Sequence, residues 1–211
     1  MFGLSEMSSL TWDSAAWIYS VIIGVVLARY FMFIANLLQE PKAIKFYYPY
    51  LAVILANILS LYLGWYTGKQ IYTGIEGKTL QFAVKTFIDA TGCISGLILV
   101  PKDKLLEGFF DMKSWFMKIK RAYFFMAVLF YLALGMQFVL GLFYAPEDSI
   151  LTTEQLIGLS GVAVIVILLH VVSAFSKNDY YLSFHGTLMV VMYSYVLLSQ
   201  LSGPSDLGNL R

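Results

Sequence analysis

Apolar residues gather in six blocks, at about 15–38, 46–66, 79–100, 122–144, 155–175 and 181–201, and polar residues collect between them. Each block approaches the ~20 residues that a helix needs to cross ~30 Å of hydrocarbon. The blocks are too long and unbroken for barrel strands, so the pattern predicts an all-α, polytopic membrane protein, a six-transmembrane-helix bundle forming a single domain over 1–211. The five prolines agree. Pro41, Pro101, Pro146 and Pro204 fall between or after the blocks, and Pro49 falls in a first turn, where a missing N–H costs little. Thr152 followed by Gln155 reads as a capping box opening the fifth block.

The third block departs from plain apolar patterning. Lys85 and Asp89 stand at i and i+4, one helical face, and steps of three and four along that face reach Gly92 and Gly96. A stripe that is charged at one end and notched at the other does not belong against lipid, so this helix is expected at the centre of the bundle. Arg29 lies deep in the first block, and its long arm is expected to share Asp89 with Lys85. Each charge near mid-bilayer costs at least ~2.5–3.5 kcal/mol, so each calls for a partner or water. Ser20 and Gly24 form a second small-xxx-small pair, a candidate contact face for the first helix.

The loop 101–121 has its own periodicity. Leu105, Phe109, Met112, Phe116 and Ile119 recur at steps of three and four, with charged residues mostly opposite. That predicts an interfacial amphipathic helix between spans three and four. Phe109, Trp115, Phe116, Lys120 and Arg121 would then offer a docking face for lipid headgroups or a cytosolic protein partner.

Composition narrows the class. The 211 residues are 59% hydrophobic and 13% charged, with a mean hydropathy of +0.74, which excludes an ordinary soluble domain. A net charge of +1 without a long basic run excludes a nucleic-acid partner. One cysteine, Cys93, excludes a disulfide framework within the chain and reads as a small buried hydrophobe. The first fourteen residues hold Glu6 and Asp13 but no Lys or Arg, so the first span is expected to be retained rather than cleaved as a signal peptide. Lys and Arg concentrate after spans one, three and five, which predicts a multi-pass protein of the plasma (inner) membrane with both termini outside.

Arg29 in span one, Tyr48-Pro49 opening span two, Trp65 near its end and Val100-Pro101 closing span three form a loose pattern. Trp115-Phe116, Lys120-Arg121 and Phe124 extend it. Over roughly the first two thirds of the chain it resembles an uncharacterised group of bacterial six-helix inner-membrane proteins. The resemblance implies the topology and carries no activity.

No P-loop, GxSxG or HExxH motif is present, and no triad spacing occurs, so an enzyme is not the leading expectation. The leading reading is a channel- or transporter-like protein working through Arg29, Lys85 and Asp89, with a homo-oligomer one way of using the small-residue ridges. A second reading is a non-catalytic membrane subunit or sensor that recruits a cytosolic partner through 101–121. A third uses His170 and His185, placed at nearly equal depth near the joined ends of spans five and six. Matched histidines on neighbouring helices are what bis-His ligation of haem b requires, and they also suit one metal ion with Asp179 nearby. No cofactor is required by the leading reading.

Overall fold

The computed structural model describes residues 4–39, 41–74, 79–101, 109–144 and 153–201. It is all-helical apart from one two-residue parallel bridge, and six of its helices are long and apolar enough to cross a membrane, compatible with a multi-pass membrane protein.

α1 runs Leu4–Gln39, α2 Tyr48–Gly74, α3 Thr79–Leu99, α4 Met112–Tyr144, α5 Thr153–Phe175 and α6 Asp179–Leu201. The helices stop where backbone chemistry stops them. α1 ends just before Pro41, the first proline of the chain, and α3 ends before Val100-Pro101. The last turn of α3 leaves carbonyls without helical partners, and Leu99 O is taken up by Tyr50 Oη at 2.6 Å and Trp115 Nε1 at 3.2 Å. Asp111 caps α4, its Oδ1 accepting from Lys113 N at 2.9 Å and Ser114 N at 3.1 Å. Asn178 caps α6 in the same way, accepting from the amides of Tyr180 and Tyr181. Thr152 of the expected capping box lies outside the described residues.

Two ends differ from the sequence expectation. α1 begins at Leu4, ahead of the expected span, because no proline or glycine pair interrupts the run that precedes the apolar block, while its membrane-crossing part, Trp17–Gln39, agrees with the expected 15–38. α4 begins at Met112 rather than 122, so 112–121 is continuous with the spanning helix instead of forming a separate helix flat on the membrane. At ~1.5 Å per residue this single helix is ~50 Å long and exceeds the hydrocarbon thickness. Residues 102–108 of the expected interfacial helix lie outside the described residues.

α3 packs against α4, α2 and α1, α4 also packs on α5, and α6 packs on α2. The α2–α6 approach is close because Gly186 faces Ala52: a Cβ at Gly186 would come within 2.9 Å of the Ala52 methyl. The largest core cluster lies toward the end of the bundle where α2 and α4 begin. Tyr50, Phe116 and Phe124 are fully buried there, in ring contact along the series, with Met112 and Leu99 beside them. The bridge between β1 (Ile44–Lys45) and β2 (Phe110–Asp111) ties the entry to α2 to the entry to α4 at this lysine-rich end.

Candidate functional site

α3 carries a buried polar stripe. Gln81, Lys85, Asp89 and Ser95 are all buried, with Gly92 on the same face at helical steps of three and four. Lys85 Nζ pairs with Asp89, and it also sits 5.1 Å from the centre of the Tyr19 ring of α1, close enough for cation–π attraction. Two opposite charges in one helix cancel at long range, and this makes their burial tolerable.

Past Gly92 the stripe meets a latch among three helices. Asn57 of α2 donates from Nδ2 to Ser95 Oγ of α3 at 3.1 Å and accepts at Oδ1 from Tyr30 Oη of α1 at 2.7 Å. Ser95 in turn donates to Gly92 O at 2.7 Å. Gly96 has to be glycine here. A Cβ would lie 2.9 Å from both Asn57 Oδ1 and Val26 Cγ1, and 3.3 Å from Tyr30 Oη. The Gly92–Gly96 notch is therefore filled inside the monomer, with Phe130 of α4 and Leu61 of α2 over Gly92. Ser20 and Gly24 fare differently. Both are exposed, nothing lies within 4 Å of a Cβ built at Gly24, and Ser20 Oγ accepts from Trp65 Nε1 at 3.3 Å.

Beside the latch, α2 to α6 enclose a cavity. Asn57, Ser60 and Ser95 line one side, and Tyr123, Tyr131, Tyr193, His170 and His185 line the others. The cavity has room for about one or two waters. Tyr131 and Tyr193 share a hydrogen bond through their hydroxyls. The two histidines, 2% and 1% exposed, are in edge-to-face contact with ring centroids 4.6 Å apart. His170 Nδ1 lies 2.7 Å from Val166 O, a bond that requires the proton on Nδ1. Ser173 donates its hydroxyl proton to Leu169 O at 2.8 Å, so its oxygen is left to accept from His185 Nδ1 at 2.9 Å. Both rings thus carry their proton on Nδ1.

A haem does not fit this pair. Axial imidazoles face each other across a macrocycle with centroids about 6.5 Å apart, given metal–nitrogen bonds of ~2.0 Å. Here the rings touch, and the space beside them is water-sized. Asp179 does not join the histidines. Its carboxylate takes Lys113 Nζ and, at 2.8 Å, Tyr47 Oη. Among the described residues no three of His, Cys, Asp and Glu come together in a way that could hold a metal.

The remaining expected residues scatter. Arg29 is half-buried and enters none of the ion pairs among the described residues, so the expected three-member cluster is there a Lys85–Asp89 pair. Phe116 is buried in the aromatic core, and Trp115 is half-buried with its indole N–H on Leu99 O. Lys120 is also buried, its ammonium on Ser176 O just beyond the C-terminus of α5, where a cation suits the helix dipole. Of the expected docking face, Phe109 (68%) and Arg121 are exposed, and Arg121 lies 5.7 Å from the Phe175 ring centre.

The tyrosines of the cavity were not singled out from the sequence. With 17% aromatic residues, a buried hydroxyl cannot be told from an interfacial anchor until the helix neighbours are known. No protein-family model, curated protein or solved structure matches the chain.

Proposed function

We propose that this chain is a channel- or transporter-like membrane protein that passes protons or small inorganic ions along the stripe of α3 into the cavity among α2 to α6. One observation carries the reading: a buried Lys–Asp pair lies on the same helical face as Ser95, which with Gly92 is the part of α3 that lines the cavity. A purely structural stripe is better built from apolar side chains, since a buried ion pair returns little net stability for the desolvation it costs. In this reading Asp89 is the proton- or cation-accepting group, and Lys85 is the counter-charge that keeps it ionised between transfers. The Asn57–Ser95–Tyr30 latch fixes the three helices that frame the path. The aromatic layer of Phe124, Phe116 and Tyr50 closes the lysine-rich end, so conduction requires these rings to move. Arg29 stands outside the path and contributes charge near its own helix face.

The test is ion and proton flux in proteoliposomes, comparing wild type with Asp89→Asn. The reading expects wild-type flux above empty vesicles and loss of most of it in the variant. Flux equal in all three ends it.

A second reading, a membrane subunit that recruits a cytosolic partner, draws on the exposure of Phe109 and Arg121 at the lysine-rich end. Co-purification that survives Asp89→Asn and fails in Phe109→Ser/Arg121→Glu would favour it.

A further inference from the structure

His185 Nε2 is buried and has no hydrogen-bond partner, which is costly for a polar atom in an apolar interior. The ring that carries it lines the cavity together with His170 and Met189. We propose that this cavity is a binding site for a soft monovalent metal ion, Cu(I), held by Nε2 of His170, Nε2 of His185 and the thioether of Met189.

Four features converge on that ligand. First, the Nδ1–H of each ring is committed, to Val166 O and to a Ser173 hydroxyl that is itself fixed by Leu169 O. Such outer partners set the tautomer of metal-binding histidines, leaving Nε2 as a lone pair. Second, two imidazoles on one ion place their centroids about 5–5.5 Å apart, using metal–nitrogen bonds of ~2.0 Å. The observed 4.6 Å brings the two rings within about an ångström of that separation, and binding one ion requires them to part slightly. Third, Met189 follows His185 by four residues and shares its face of α6. It is buried and brings a soft sulfur to the same cavity. Fourth, among the described residues the lining contains no carboxylate or thiolate. A divalent ion would carry two uncompensated charges into a low-dielectric interior, whereas a single positive charge with neutral nitrogen and sulfur donors is the softer and cheaper match. A water-sized space accepts one such ion and little else.

The site does not rest on the transport reading, and either can fail alone. The experiment is anaerobic competition between bicinchoninate and the full-length protein in nanodiscs for Cu(I). Wild type is expected to retain one Cu(I) per chain. Met189→Leu and Ser173→Ala are expected to weaken retention by about 10-fold or more, and His170→Gln/His185→Gln to abolish it. X-ray absorption of the wild type alone should show two nitrogen scatterers and one sulfur, a readout that needs no variant to fold. Wild-type retention no greater than that of the double histidine variant overturns the site. So does a sulfur-only shell, the signature of Cu(I) spread over the nine methionines of the chain.

Discussion

Two Lys–Asp pairs of the same chemistry sit in opposite surroundings. Lys85 and Asp89 belong to one helix, with side chains 5% and 7% exposed. Lys113 and Asp179 join the starts of α4 and α6 at the lysine-rich end and are 45% and 43% exposed. The exposed pair has water, the Tyr47 hydroxyl and salt to share its charge, so its loss is cheap. The buried pair exchanges hydration for one another, so neither member can be removed alone at low cost. The transport reading begins from that difference in cost.

The largest expected effect breaks the buried pair. Asp89→Ala takes the carboxylate from a buried ammonium and is expected to destabilise by about 3–5 kcal/mol, read as a lowered unfolding midpoint in detergent. Replacing both members, Lys85→Met with Asp89→Leu, should recover most of that stability, since an apolar pair of similar volume suits the site. Next comes the notch. Gly96→Ala pushes a methyl into Asn57 and Val26 and should cost about 1–3 kcal/mol, while Gly24→Ala, with open space around it, should be neutral or slightly stabilising by helix propensity. The same thermal measurement separates them. Lys113→Ala should cost under about 1 kcal/mol, and the difference should shrink further in high salt.

The smallest effect is set by pH. Asp111 is held below the usual carboxylate range, chiefly by the Ser114 amide and then by Lys45 and the Lys113 amide. A depressed acid stabilises above its ordinary pKa of ~4 and loses that contribution as pH falls through its lowered value. Protection factors of the Lys113 and Ser114 amides, exchange rates corrected for the intrinsic effect of pH, should therefore fall on acidification, and the first turn of α6 should follow, because Asp179 is likewise held low by Lys113 and Tyr47.

The six helices were readable in the sequence because hydropathy blocks and prolines mark them directly, and the Lys85–Asp89 contact was readable because i and i+4 meet in any helix. The histidine contact followed from two helices joined by a short turn. What depended on non-sequential packing was hidden. Asn57 reaches Tyr30 and Ser95 only because α1, α2 and α3 meet at Gly96, and Tyr131 finds Tyr193 only once α4 faces α6. The periodicity of Met112, Phe116 and Ile119 was real, but it marks the core-facing side of α4. Periodicity gives a face without saying whether protein or lipid covers it.

The most direct test of the central claim uses the charge-free double variant, Lys85→Met/Asp89→Leu, in proteoliposomes beside wild type. The account predicts a folded protein of near wild-type stability whose proton or ion flux falls to that of empty vesicles. A double variant that is stable and still conducts at the wild-type rate would show that the buried pair only holds helices in register, and would contradict the claim.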